Sequence, residues 1–167
     1  MVNHKILSLR QFLAERKRLK RAGKKLVMTN GCFDLLHPGH VYYLSRAKKL
    51  GDKLLVALNS DCSVRALKGS ERPLRNEKDR ATMLAALESV DYVVVFRETT
   101  AEKILKAVRP DIYVKGGDYT PESLHRGEVT AVQDKGGRIR ILPKLEGHST
   151  TNFLRKLQQP GRGRLIL

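Results

Sequence analysis

Five short apolar runs punctuate the chain, each followed by a longer stretch of mixed character. The second run, Lys53-Leu54-Leu55-Val56-Ala57-Leu58-Asn59, is apolar without alternation. That pattern is expected of a parallel strand covered on both faces. Similar runs predict strands over 25–30, 92–96, 111–115 and 138–142, with Tyr92-Val93-Val94-Val95-Phe96 the clearest of them. Between them the apolar residues return at helical spacing. Ser8 can cap a first helix with Leu9, Phe12, Leu13 and Leu19 on one stripe and Arg16, Lys17, Arg18, Lys20 and Arg21 largely outside it, closed by Gly23. Further helices are predicted over 39–50, 77–89, 101–108 with Thr100 as its cap, 127–134 and 152–157. Residues 62–76 are polar and basic and read as a loop or lid. Strand and helix alternating five times predict an α/β fold, a single-domain doubly wound parallel sheet of Rossmann-like type.

Length and composition narrow this further. At 167 residues one core is expected, organised as a basic helix over 1–24 packed on a domain over 25–157, with a flexible basic tail over 158–167. No apolar run reaches membrane-spanning length, and Met1-Val2-Asn3-His4-Lys5 lacks the layout of a signal peptide, so a cytoplasmic protein is expected. Cys32 and Cys62 match no metal or redox spacing and are expected to be small packing residues.

The net charge of +16 raises nucleic acid as a partner. The excess sits at the ends, however. From Arg10 to Lys25 eight basic residues face one acid, Glu15, and Arg162 and Arg164 add to the tail. With no Trp and few other aromatic residues, a stacking platform for single strands is poorly supplied. A solvated basic face beside a pocket for phosphorylated anions is the preferred account. A basic nucleic-acid-binding protein without catalysis is the alternative from a different class. The first helix or the tail also offers a homodimer contact.

The chemistry concentrates at Asn30-Gly31-Cys32-Phe33-Asp34-Leu35-Leu36-His37-Pro38-Gly39-His40, a turn from the first predicted strand into a helix. Such turns, at the carboxyl ends of strands in α/β sheets, bind ligands, and a helix N-terminus favours anions. The spacing of His37 and His40 places both imidazoles on one helix face. Neither G-x-x-x-x-G-K-[ST] nor G-x-G-x-x-G occurs, which excludes a P-loop and argues against a dehydrogenase-type site.

His37-Pro38-Gly39-His40 resembles the H-x-G-H signature of the nucleotidyltransferase superfamily. The resemblance continues through Asn59-Ser60-Asp61, Leu67-Lys68-Gly69, Arg72-Pro73, Asp79-Arg80, residues 85–91, Lys115-Gly116-Gly117-Asp118-Tyr119 and Gly147-His148-Ser149-Thr150-Thr151. In that order these blocks are similar to the heptose 1-phosphate adenylyltransferases, which occur alone or as the C-terminal half of a bifunctional heptose kinase/adenylyltransferase. The resemblance implies transfer of AMP from ATP to D-glycero-β-D-manno-heptose 1-phosphate, with release of pyrophosphate, giving ADP-heptose for lipopolysaccharide core assembly. It implies Mg²⁺ carried by the triphosphate, with no protein metal ligand assigned. His37, His40, Lys68 and Arg80 are the implied catalytic residues. Asn30, Gly31, Cys32, Phe33, Asp34, His37, His40, Lys115, Gly116, Gly117, Asp118, Ser149, Thr150 and Thr151 are the implied nucleotide contacts, and Asn59, Asp61, Lys68 and Arg72 the acceptor contacts. Sister activities stay open: GTP with the α-anomer, CTP with glycerol 3-phosphate, or ATP with FMN. A class I tRNA synthetase fragment is excluded by the missing K-M-S-K-S and by length.

A sugar phosphate is already largely dianionic near neutral pH, its second pKa being about 6. It needs no general base. The site must supply alignment and stabilisation of charge on the α-phosphate, so the two histidines are expected to act as donors to phosphate oxygens.

Overall fold

The structure of the chain is a computed structural model that describes residues 2–117, 119–120 and 123–143. The expected helix over 152–157, the tail, and Asp118, His148, Ser149, Thr150 and Thr151 lie outside the described residues. After one 3₁₀ turn, Val2–Lys5, come α1 (Leu9–Arg21), β1 (Leu26–Gly31), α2 (Pro38–Lys48), β2 (Lys53–Asn59), α3 (Asp61–Lys68), α4 (Glu77–Ala85), β3 (Tyr92–Phe96), α5 (Glu102–Val108), β4 (Ile112–Gly116), α6 (Arg126–Gln133) and β5 (Arg138–Leu142). The strands form one parallel sheet in the order β3-β2-β1-β4-β5.

The unbroken apolar runs are explained by the two cores that the sheet separates. Leu26, Met28, Leu55, Ala57, Val94 and Tyr113 join Phe12, Leu105 and Val108 on one side. Val27, Leu54, Val56, Leu58, Val93 and Val114 join Leu44, Ala81 and Leu84 on the other. Successive strand residues point to opposite faces, so a strand buried on both sides has no polar alternate. The edge strand β3 is extended by a parallel bridge from Ile6 to Val93, and Leu7 N donates to Val93 O at 2.9 Å.

Ser8 caps α1 in a reciprocal box with Gln11. Phe12 is fully buried against the sheet, a contribution of about 1.5–3 kcal/mol. Contrary to the expected solvated position, Arg16 lies on the buried stripe. Its guanidinium donates to the carbonyls of Val108 and Arg109 and pairs with Asp111 at 3.1 Å, tying α1 to the C-terminus of α5. Cys62, expected to pack, is exposed on α3.

The expected loop over 62–76 is helical in its first half. Ser60 accepts from Ser63 N to start α3, and Val64 supplies its buried contact. The predicted helix over 77–89 stops at Ala85. Asp91 accepts from Leu54 N and pairs with Lys48 and Lys53, so the chain must leave the helix early to meet β2. Thr100 does not cap α5. Ala101 occupies the cap position, and its N–H is accepted by Glu128 Oε1 of α6 at 2.8 Å.

Candidate active site

β1 runs into a turn whose geometry is set by one ring. A Cβ on Gly31 would meet the Phe33 ring at 2.9 Å, so glycine is required there by its own chain as well as by any ligand. Phe33 itself adopts φ +43°, a left-handed conformation costing roughly 1–2 kcal/mol and typical of strained functional turns. The turn delivers His37 to the N-cap of α2 and Pro38 to its first position. The His37 and His40 rings stack with centroids 3.8 Å apart, and Phe33 lies 5.2 Å from His40.

Burial is the main reason that the His40 pKa falls to about 4, with His37 and Lys68 adding repulsion. His40 Nδ1 is buried without a hydrogen-bonding partner among the described residues. Such atoms are rare away from functional sites, because the lost hydration is uncompensated.

A stability consequence follows from the sign of this shift. An unfolded histidine titrates near 6.5. Below that pH the unfolded chain takes up a proton that folded His40 refuses, so stability is full above about 6.5 and falls as pH approaches 4. Thermal melts are expected to show up to about 3 kcal/mol of acid destabilisation that His40→Gln removes. Equal acid slopes in the two proteins would place the loss elsewhere.

A cavity of about 690 Å³ opens above the carboxyl ends of β1, β2 and β4. It includes the β1/β4 junction, where the chain reverses its direction across the sheet. Of the residues expected from the sequence, Asn30, Gly31, Cys32, Phe33, Asp34, His37, His40, Asn59, Lys68, Arg72, Lys115, Gly116 and Gly117 all line it. Lys68 ends α3, is exposed, and makes no ion pair with a described residue. It is the cation most available to a ligand on that wall.

Two expected residues do not line the cavity. Arg80 is 1% exposed: Nε donates to Arg75 O, Nη1 to Cys32 O and Asn59 O, and Nη2 to Asp61 at 2.7 Å. Its role is beneath the floor, joining the ends of β1 and β2, and Asp61 is its counter-ion. Asp34 lines the cavity, yet its carboxylate is occupied by protein donors. It pairs with Arg72 Nε and accepts from Leu74 N and Arg75 N at 2.8 and 3.1 Å. It therefore anchors the segment after α3, and the part of the expected lid over 72–75 is tied to the turn.

Several lining groups were not expected: Tyr43, Thr99, Thr100, Tyr119, Ser123, His125 and Glu128. Gly116 is required because a Cβ would meet the Tyr43 ring at 2.8 Å, and the Tyr43 hydroxyl in turn bonds Thr29 and Val114 O. The signal for Glu128 was present in the sequence. It falls three and four positions before Ala131 and Val132, on the buried stripe of its helix. A carboxylate there needs a buried partner, and Lys115, next to last in the apolar strand β4, is that partner at 3.0 Å.

A parallel sheet with a stacked histidine pair at its switch point and a lysine at the end of α3 lining the same cavity is the arrangement of a nucleotidyltransferase. The chain belongs to the cytidylyltransferase-like family, whose sequence profile matches residues 28–156. It is 51% identical over 154 residues to the bifunctional protein HldE of Geotalea uraniireducens (strain Rf4), covering 92% of this chain and 31% of that protein. It is 52% identical over 138 residues to the HldE of Syntrophotalea carbinolica (strain DSM 2380 / NBRC 103641 / GraBd1), covering 83% and 28%. The chain thus spans under a third of the length of these curated relatives. Among solved structures, the lipopolysaccharide core biosynthesis protein from Thermoplasma volcanium GSS1 is 31% identical with a TM-score of 0.59, over 74% of this chain and 98% of that one. No helix among the described residues is long and apolar enough to cross a membrane.

Proposed function

We propose that this chain transfers AMP from MgATP to D-glycero-β-D-manno-heptose 1-phosphate in the cytoplasm, releasing pyrophosphate and forming ADP-heptose for lipopolysaccharide core assembly. The observation that carries this reading is the stacked histidine pair, with His40 held neutral by its surroundings, lining with Lys68 a cavity roomy enough for two phosphorylated substrates. Support for the acceptor comes from the HldE proteins and from the Thermoplasma relative named for lipopolysaccharide core biosynthesis.

A phosphate oxygen of the sugar attacks the α-phosphorus and forms the new P–O bond. The bond from that phosphorus to the α,β-bridging oxygen breaks, and pyrophosphate leaves with the electron pair. The attacking dianion carries no proton that must be removed. The work left to the protein is therefore alignment and donation. His37 and His40 donate to the crowded α-phosphate, and the start of α2, where Pro38 has no N–H and His40 N donates to His37 O, adds its dipole and the N–H of Gly39. Lys68 brings the acceptor phosphate and the triphosphate together by offsetting their mutual repulsion. Magnesium, carried by the triphosphate, would offset part of its charge. No group of three or more His, Cys, Asp or Glu among the described residues could hold a metal ion, and the Asp34 carboxylate is bound by Arg72.

Incubation with ATP, Mg²⁺ and the β-anomer should release pyrophosphate in proportion to ADP-heptose formed. Activity with GTP and the α-anomer, CTP and glycerol 3-phosphate, or ATP and FMN in its place would overturn the substrate assignment and keep the reaction class.

A further inference from the structure

A buried polar network lies on one side of the cavity and is not used by the reaction as described so far. Lys115 Nζ donates to Asn30 Oδ1 at 2.8 Å and pairs with Glu128 Oε2 at 3.0 Å. The Tyr113 hydroxyl lies 2.6 Å from Asn30 Oδ1 and 2.9 Å from that same Glu128 oxygen. Glu128 Oε1 accepts from Ala101 N. One carboxylate, 4% exposed, therefore joins the start of α5, two residues of β4 and, through them, the end of β1.

The chemistry of these groups fixes the Asn30 amide. An ammonium group only donates, so the amide atom facing Lys115 must be the oxygen. Asn30 lines the cavity, and its Nδ2 atom has no partner among the described residues and is not sealed from solvent. The NH₂ group is therefore the half of the amide left free to meet a ligand in the cavity. Without Glu128 the Lys115 ammonium would lose its counter-charge in a site where Lys115 is 7% exposed, and nothing would then hold the amide against a flip.

We propose that Glu128 is a positioning residue that locks the Asn30 carboxamide with its NH₂ toward the cavity, where it donates to a phosphate oxygen of the bound substrate. This deepens the nucleotidyl-transfer reading and rests on it. The donor is neutral and single-sided, suited to a phosphate oxygen and unsuited to a cationic group. Asn30 sits where β1 ends, between the histidine turn and β4.

Asn30→Asp separates ligand recognition from folding. An aspartate oxygen can still accept from Lys115 and Tyr113, so the melting temperature should stay within a few degrees of wild type. The second oxygen now faces the phosphate. Calorimetric titration should show affinity for ATP or for the heptose 1-phosphate reduced by about a hundredfold, a like-charge cost of several kcal/mol at a desolvated contact. Titrating the two ligands separately tells which one supplies the oxygen. Glu128→Gln should raise the KM for that same ligand about tenfold and leave kcat within about threefold, a split that general loosening of the fold would not give. Adding Asn30→Asp to Glu128→Gln returns a counter-charge to Lys115 and should restore the melting temperature without restoring affinity. If wild-type protein binds ATP and Asn30→Asp binds both ligands within threefold of it, the donor assignment is wrong. If Glu128→Gln folds and keeps both wild-type KM values, the positioning role is wrong; if it does not fold, Asn30→Asp alone decides. Wild-type protein that binds neither ligand would overturn the transferase reading, and the donor with it.

Discussion

His40→Ala is expected to lower kcat by about a hundredfold or more while moving the melting temperature by only a few degrees, as loss of one preorganised donor to a transition-state oxygen typically does. The imidazole is half-buried, stacked on His37, and its Nδ1 has no hydrogen-bonding partner among the described residues, so little native bonding is lost when it is removed. His37→Ala should cost a similar factor. The double variant should cost less than the product of the two, because stacked rings 3.8 Å apart act as one unit. His40→Gln, which keeps an N–H donor, should recover part of the loss. Steady-state pyrophosphate release measures all four. The pH dependence carries the sharper distinction. With a dianionic nucleophile and a histidine held neutral down to about pH 4, kcat should be flat between about pH 7 and 9 in wild type and variants alike. An acid limb near neutrality that disappears in His40→Ala would make His40 a general base and overturn the donor role.

The fold was legible in the sequence because a sheet covered on both faces leaves strands with no polar alternate. β2, β3 and β5 fall where the apolar runs predict them, and β1 and β4 are displaced by one residue. The turn was legible too, since it depends on local residues in fixed order: a strand end, a glycine, and two histidines around Pro38-Gly39. What could not be read were long-range partners. Arg16, Asp34 and Arg80 look like surface charges or ligand contacts in one dimension; the two arginines are buried by carbonyls and carboxylates distant in sequence, and Asp34 by the N–H groups of Leu74 and Arg75 and the guanidinium of Arg72. α3 was missed because eight residues with a single buried apolar side chain leave almost no periodic signal. The Thr100 cap failed for a related reason. A threonine before a helix is a sound local signal, but Glu128, twenty-seven residues from Ala101, reaches the same N–H.

Arg80→Met is expected to be the most destabilising single change, costing about 3–5 kcal/mol, the range for breaking a buried charge pair from one side. Methionine fills much of the volume, so the loss is polar. Removal of the guanidinium strands the carbonyls of Cys32, Asn59 and Arg75 and leaves the Asp61 carboxylate without its cation. Two of those carbonyls belong to the ends of β1 and β2, where the strands feed the histidine turn and the start of α3. The same change should therefore lower activity in the fraction that stays folded, through displacement of Cys32 and Asn59 at the cavity floor. Arg80→Lys should recover little, since one ammonium cannot reach four acceptors arranged around a planar fork. Urea denaturation gives the stability change, and pyrophosphate release at a temperature where each variant is fully folded gives the activity. A phosphate-binding role for Arg80 predicts the opposite division: near wild-type stability in Arg80→Met, with the loss confined to KM and kcat. The occupied guanidinium argues for the first outcome, and a midpoint shift of less than about 1 kcal/mol would decide for the second.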